Sequence, residues 1–131
     1  MAIFVDSNIP MYLIGGNHPN RDRARTLLEV AVAARQRLVT DAQAFEEVLR
    51  RYVSIDRREA IEPAWTALGK LVDEVFPIEL EDVERARQLV LTSRLGGRDA
   101  LHAAVMQRRD VAEILTFDPA FDHIPGIRRR S

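Results

Sequence analysis

The chain contains no cysteine, and this absence excludes several kinds of site at once. Disulfide bridges, a thiolate nucleophile and a sulfur-bound metal centre all require cysteine. No apolar run approaches the length of a membrane-spanning helix, and the first residues lack the basic start and apolar stretch of a signal peptide. We therefore expect a cytoplasmic protein that makes no membrane contact and whose ligands are oxygen and nitrogen atoms.

Lysine is almost as scarce, since Lys70 is the only one and arginine supplies the rest of the positive charge. The net charge of −1 excludes a global basic field. The planar arginine side chain suits phosphate, but a G+C-rich genome also favours arginine, and a charge run is usually a solvated face. The composition therefore assigns no individual arginine to a nucleic acid.

Length and patterning predict one α/β domain over residues 1–131. Of these residues, 47% are hydrophobic, which is enough for one core but short for two. Short apolar runs alternate with longer segments of helical periodicity, and this alternation predicts a short, mostly parallel sheet of about four to five strands with helices on both faces. The predicted strands are Ile3–Val5, Leu38-Val39, Phe76–Ile78 at an edge, Glu113–Phe117 and a last one from Ile127; the predicted helices are Pro10–Ile14, Asn20 or Asp22 to Gln36, Ala42–Tyr52, Arg57–Val75, Asp82–Thr92 and Arg98–Gln107.

Carboxylates stand at the edge of four of these elements. Asp6 follows the first strand, Glu46-Glu47 lie within the third helix, Asp99 opens the last helix, and Asp118 follows the Ile114–Phe117 run. Acids gathered from distant segments repel one another unless a positive charge lies between them, and a hard divalent cation with oxygen ligands is the usual solution. The pattern therefore predicts a metal-dependent phosphoryl-transfer site beyond the carboxyl ends of the strands.

Each acid also has an ordinary structural interpretation. Asp6 and Asp118 can satisfy backbone donors in turns, and Asp99 can cap its helix. In the third helix, the apolar stripe leaves Glu46 on its flank and Glu47 nearly opposite, so periodicity alone does not choose between the two glutamates. His102, one turn after Asp99, could orient a water or contact a phosphate, although a histidine that fills a polar gap in the packing is favoured.

Taken together, these residues resemble the PIN domain, and within it the toxins of VapBC-type toxin–antitoxin modules, over essentially the whole chain. The segments that carry the resemblance are Ile3-Phe4-Val5-Asp6-Ser7-Asn8, the Thr40–Tyr52 segment, Arg98-Asp99-Ala100-Leu101-His102-Ala103-Ala104 and Leu115-Thr116-Phe117-Asp118. The resemblance places the helical acid directly before two apolar residues, which selects Glu47 over Glu46. It implies that Asp6, Glu47, Asp99 and Asp118 are catalytic metal ligands, with Asp122 as an accessory ligand.

The resemblance further implies a PIN-like fold and an endoribonuclease that depends on Mg2+ or Mn2+. The expected reaction is in-line attack on phosphorus by metal-activated water, with Asn8, Thr116 and His102 in supporting positions. The expected partners are an RNA substrate, a cognate VapB-type antitoxin and a second copy of the chain in a homodimer. The alternative is an RNA- or antitoxin-binding module of the same fold, with a structural metal and little or no catalysis.

The first helix adds one further hypothesis. It carries more apolar residues than a short exposed helix needs, and part of this surface, with Leu27 or Trp65, is predicted to form a groove for the antitoxin. The opposite interpretation is that all of these side chains belong to the core. The residues concerned are Ile9, Met11, Tyr12, Leu13 and Ile14.

Overall fold

A computed structural model describes all of residues 1–131. Five strands and six α-helices, with two short 3-10 helices, give the α/β architecture that the sequence predicts. No α-helix combines the length and the apolar character needed to cross a membrane. The strands are β1 (Ala2–Val5), β2 (Arg37–Asp41), β3 (Glu74–Phe76), β4 (Glu113–Leu115) and β5 (Arg128–Arg130); the helices are α1 (Asn8–Ile14), α2 (Pro19–Ala33), α3 (Ala42–Ser54), α4 (Ile61–Leu71), α5 (Leu80–Thr92) and α6 (Gly97–Arg108); the 3-10 helices are Arg58–Ala60 and Pro119–His123.

The sheet is parallel throughout, with strand order β3-β2-β1-β4-β5. The chain builds outward from β1 through β2 to β3, and then crosses back to place β4 on the other side of β1. The connections therefore diverge between β1 and β4, and a crevice opens there at the carboxyl ends of the strands. Asp6 and Thr116 directly follow these two strands, so the topology brings both residues to that crevice.

The core has one layer on each face of the sheet, because successive side chains of a strand point to opposite faces. Ile3 and Val5 of β1 pack with residues of α1, α2 and α4, whereas Phe4 packs with residues of α6 and of the C-terminal segment. All three of these β1 side chains are fully buried. The central strand therefore holds both helical layers and fixes the starting point of the chain segment that carries Asp6.

Several element ends and faces differ from the sequence-based expectation. His18, rather than Asn20 or Asp22, caps α2, since its Nδ1 accepts the Asn20 backbone N–H at 3.0 Å. The predicted Arg57–Val75 helix is divided into a 3-10 turn and the shorter α4, because β3 already begins at Glu74. Helix α5 packs mainly on α6, and Val83 and Val90 of α5 are 47% and 39% exposed. Trp65 of α4 packs on Phe45 of α3 and is 41% exposed.

Asp82 is a buried acid that ties α5 to α6. Its carboxylate accepts two hydrogen bonds from the Arg108 guanidinium, at 2.6 and 2.8 Å, and one from the Glu79 backbone N–H at 2.8 Å. The Arg108 hydrogen bonds hold the pKa of Asp82 below its ordinary value of 3.8, although burial opposes this shift. A carboxyl group whose pKa is lowered in the folded state stabilises that state above its ordinary pKa.

We predict that Asp82→Asn lowers the free energy of unfolding by about 2 kcal/mol at pH 7, because charge-assisted hydrogen bonds are lost. The difference from wild type should persist down to the ordinary carboxyl pKa and disappear as the pH falls below it. Urea unfolding at a series of pH values measures both quantities. Asp22→Asn is the matched control, since Asp22 forms only an exposed contact of 3.7 Å with Arg25; an equal loss in both variants would contradict the prediction.

Candidate metal centre

Asp6 directly follows β1 at the carboxyl edge of the sheet, next to the end of β4, and is 6% exposed. Its Oδ1 accepts the Ser7 backbone N–H at 2.7 Å, and its Oδ2 accepts the Thr116 hydroxyl at 2.7 Å. Burial raises the pKa of Asp6; nearby His102 lowers it, whereas Glu47 raises it further. This carboxylate is held in place by hydrogen bonds, but its charge is not fully compensated.

Thr116 connects the two strand ends. While its hydroxyl donates to Asp6, it accepts the Asn8 side-chain amide at 3.0 Å and the Asp118 backbone N–H at 3.1 Å. All the hydrogen-bonding capacity of this buried hydroxyl is therefore used. Thr116 fixes the start of the segment that carries Asp118 relative to Asp6.

The two adjacent glutamates of α3 have opposite environments. Glu47 is 6% exposed, and its Oε1 accepts the Ser7 hydroxyl at 3.1 Å and the His102 Nε2–H at 2.8 Å. Glu46 is exposed and forms an ion pair with Arg50 one turn later. Helix α3 is buried on its Glu47 side because α6 covers it. Helical periodicity describes only the apolar stripe of α3 and does not reveal this contact with α6.

His102 lies between two acids and is completely buried. Its Nδ1 lies 2.7 Å from Asp41 Oδ2 and its Nε2 lies 2.8 Å from Glu47 Oε1. Burial alone would lower its pKa, but the charges and hydrogen bonds of Asp41 and Glu47 raise the pKa well above the ordinary histidine value. The side chain is thus an imidazolium that donates from both nitrogens, which agrees with the interpretation that it fills a polar gap.

The imidazolium changes the state of Glu47 in turn. Burial would raise the pKa of Glu47, yet the hydrogen bond and the charge of His102, together with the Ser7 hydroxyl, lower it below its ordinary value. Glu47 Oε2 has only long contacts, at 3.5 Å to the Gln43 side-chain amide and 4.0 Å to the Arg98 guanidinium. One oxygen of an ionised Glu47 is therefore free to bind a ligand in the crevice.

Asp99 and Asp118 form the more open side of the cluster, where both are half-buried. Burial, the Asp118 charge and the Asp6 charge raise the pKa of Asp99 to about 6, and a hydrogen bond with Asp118 adds to this effect. Asp118 Oδ1 also accepts the Ala120 backbone N–H at 2.9 Å, so the expected turn role is present as well. Burial and the neighbouring carboxylate charges therefore both disfavour the ionised form of Asp99, and a cation among these acids would relieve this cost.

Asp122 has a partner of its own. Its two carboxylate oxygens accept hydrogen bonds from Arg129 at 2.8 and 3.0 Å, and its side chain is exposed. This ion pair lowers the pKa of Asp122. Its charge is therefore already neutralised by an arginine. The accessory metal role of Asp122 stays a prediction.

Asp41 is a cluster residue that the sequence analysis did not select. Its Oδ1 does accept the Ala44 backbone N–H at 3.0 Å, but its Oδ2 binds His102 and so takes part in the acid cluster. Ser7, which bridges toward both Asp6 and Glu47, was also missed. The position of Asp41 in the sequence could have indicated its place in the cluster. Asp41 ends β2 as Asp6 follows β1, and the carboxyl ends of parallel strands lie at the same edge of the sheet.

The donor set suits a hard cation. Candidate ligand atoms of Asp6, Glu47 and His102 lie within 4.8 Å of one another. Both His102 nitrogens are already engaged by carboxylates, Nδ1 at 2.7 Å from Asp41 Oδ2 and Nε2 at 2.8 Å from Glu47 Oε1. The remaining donors are carboxylate oxygens, which Mg2+, Mn2+ and Ca2+ prefer. Asp6, Glu47, Asp99 and Asp118 are the residues that could hold such an ion.

Comparison with known proteins agrees with this architecture. The family model for the PIN domain matches residues 3–127. Ribonuclease VapC13 of Mycobacterium tuberculosis is 53% identical over 128 residues, which cover 97% of this chain and 98% of that protein. Ribonuclease VapC23 of the same species is 44% identical over 117 residues, with coverage of 88% and 92%.

Solved structures show the same fold at lower identity. VapBC2 from Rickettsia felis, bound to a DNA fragment from its promoter, matches with a TM-score of 0.76 and 16% identity, covering 99% of this chain and 98% of that one. VapC20 of M. tuberculosis, described as a sarcin-ricin loop cleaving toxin, matches with a TM-score of 0.72 and 19% identity, with coverage of 92% and 93%. Together with the family match over almost the whole chain, these likenesses show that the protein belongs to the PIN domain family.

Proposed function

We propose that this chain is a metal-dependent endoribonuclease that acts as the toxin of a VapBC-type toxin–antitoxin module. The observation that supports this proposal most strongly is the proximity of four acids from different segments near the carboxyl edge of the sheet: Asp6 lies near both Glu47 and Asp99, and Asp99 lies near Asp118. The relatives named as VapC ribonucleases, which match nearly the full chain, support the same activity.

The proposed cofactor is Mg2+ or Mn2+. Its fit rests on the donor set, because the cluster offers carboxylate oxygens, the ligands that such ions prefer. Burial, and in second place the charges of neighbouring carboxylates, raise the pKa values of Asp6 and Asp99, and a bound cation would offset both effects. Asp6, Asp99, Asp118 and the free Oε2 of Glu47 would hold it. When bound, such an ion acts as a Lewis acid that makes water more acidic and neutralises charge on a phosphoryl group.

The remaining side chains hold this arrangement in place. His102 fixes one oxygen of Glu47 and leaves the other directed toward the crevice, while Asp41 fixes His102. Thr116 orients Asp6 in the same way. Arg98 stands at the rim, with a side chain that is 61% exposed, and it can attract a phosphodiester toward the acids.

The alternative function, a binding module with a purely structural ion, fits the site less well. A structural ion is usually enclosed by protein ligands, whereas a catalytic ion keeps an open position. Here Asp99 and Asp118 are half-buried and border solvent, so one side of the acid cluster is accessible to a substrate. This accessibility favours catalysis.

The proposed protein partners are a VapB-type antitoxin and a second copy of the chain. Ile9 is fully buried and therefore contributes nothing to an antitoxin groove. Leu13, by contrast, lines a cavity of about 420 Å³ along α2, together with Leu28 and Val32. This cavity provides the apolar surface that an antitoxin segment requires, and the VapBC complexes among the structural relatives support such a partner.

We predict that Glu47→Gln reduces RNA cleavage at least about tenfold more than Glu46→Gln does, because only Glu47 reaches the acid cluster. Cleavage of total RNA in Mn2+ measures the rates, and circular dichroism shows whether each variant is folded. Glu46→Gln is the matched control, since it makes the same chemical change one residue away on the exposed side. Equal activity of the two folded variants would contradict the assignment of Glu47.

A second prediction concerns the free energy stored in the acid cluster. In EDTA, Asp118→Asn should melt at a higher temperature than wild type, because one repulsive charge is removed while an acceptor for the Ala120 N–H remains. Saturating Mn2+ should raise the melting temperature of wild type more than that of the variant, since a ligand is also lost. Differential scanning fluorimetry measures both shifts.

A variant that melts lower in EDTA and responds to Mn2+ as fully as wild type would assign Asp118 to the turn alone. In that case the hydrogen bond to Ala120, rather than metal binding, would account for this residue.

A further inference from the structure

A second cavity adjoins the acid cluster and is not explained by metal binding. Its volume is about 560 Å³, and it lies between the C-terminal end of α1, the loop that follows it, and the C-terminal half of α3. Asn8 belongs to both places, since it lines the cavity and also donates hydrogen bonds to Thr116 and Asp6. The cavity and the acid cluster therefore share a wall.

Three aromatic side chains line the cavity, Tyr12, His18 and Tyr52. The rings of Tyr12 and His18 lie 4.9 Å apart at an interplanar angle of 36°, and the Tyr12 ring meets Phe117 edge-on at 5.3 Å. Phe117 directly precedes Asp118, so Tyr12 is held against the segment that carries a cluster acid. Tyr52 lines the cavity from α3. Half-buried rings of this kind offer flat surfaces on which a planar ligand can stack.

The cavity also has polar groups at its edge. Arg51 is exposed and takes part in none of the ion pairs of the molecule. Burial raises the pKa of the Tyr52 hydroxyl, which keeps the hydroxyl protonated and able to donate. Asn17 adds an amide in the loop. An unpaired cation beside aromatic rings and hydrogen-bonding groups is suited to a ligand that is both planar and anionic.

We propose that this cavity binds one unpaired nucleobase of a single-stranded RNA, next to the phosphodiester that occupies the acid cluster. The base stacks on Tyr12 or Tyr52, and Arg51 contacts the adjoining backbone phosphate. This inference rests on the proposed nuclease function and adds to it a position at which the RNA must be unpaired. The apolar cavity along α2 has no equivalent aromatic lining, which separates the two surfaces by chemistry.

Binding of two fluorescein-labelled probes in EDTA tests the proposal without cleavage. One probe is an eight-nucleotide single-stranded RNA, and the other is a ribose-phosphate chain of the same length without bases. Fluorescence anisotropy should show that wild type binds the RNA about tenfold more tightly than the abasic chain, as stacking on a protein ring predicts. Tyr12→Leu and Tyr52→Leu should reduce this preference severalfold. Arg51→Gln should weaken the binding of both probes equally. It should also reduce the slope of log affinity against log salt concentration by about one, because one phosphate contact is lost.

Trp65→Leu is the matched control, because Trp65 is an exposed aromatic residue that packs on Phe45 and does not line the cavity. Its base preference should equal that of wild type. Circular dichroism identifies any unfolded variant, and Tyr52→Leu decides the result if Tyr12→Leu does not fold. Equal binding of both probes by wild type, or an unchanged preference in a folded tyrosine variant, would overturn the proposal.

Two further outcomes separate the cavity from the nuclease function. If wild type cuts total RNA in Mn2+ but shows no base preference, the cavity proposal fails and the nuclease proposal stands. If wild type neither binds nor cuts RNA, both fail. Tyrosine variants that lose binding to a co-expressed antitoxin while keeping the base preference would assign the cavity to the antitoxin and overturn its proposed role in RNA binding.

Discussion

Five carboxylates at one edge of the sheet need positive charge, and this need organises the region around them. They are Asp6, Asp41, Glu47, Asp99 and Asp118. The protein supplies one buried counter-charge, the His102 imidazolium, which pairs with Asp41 and Glu47. Burial and the charges of neighbouring carboxylates raise the pKa values of Asp6 and Asp99 although His102 lowers them, so this single charge only partly offsets the cost of burying the acids. A divalent cation would provide the remaining compensation.

The strand order explains how a short chain gathers these acids. With β1 at the centre, the carboxyl ends of β1, β2 and β4 lie side by side, and each is followed or ended by a residue of the cluster. Helix α6 then adds Asp99 from its first turn and His102 one turn later. The first residues of α6 lie near the sheet edge because Ala100, Ala103 and Ala104 are fully or almost fully buried and allow close approach.

Much of this arrangement was predictable from the sequence. The alternation of strands and helices predicted the parallel sheet, and the positions of Asp6 and Asp118 after apolar runs predicted their common edge. The choice of Glu47 over Glu46 was different, because local periodicity describes only one face of α3 and the burial of Glu47 depends on α6, a helix more than 40 residues later. Only the family resemblance selected Glu47.

The partners of His102 were equally hidden. A histidine on an apolar face carries no sign of which acids it will meet, and Asp41 already had a sufficient explanation as a helix cap. Asp41 and Glu47 lie 61 and 55 residues before His102 in the chain, so contacts between segments distant in sequence decided this part of the site.

The most direct test of the central claim is a Mn2+ titration of the purified protein by isothermal calorimetry. Wild type should bind the ion, Asp6→Asn should bind it at least about tenfold more weakly because a carboxylate ligand is lost, and Glu46→Gln should bind it as wild type does. Equal affinity of wild type and Asp6→Asn, with both proteins folded, would contradict the account of the acid cluster as a metal centre.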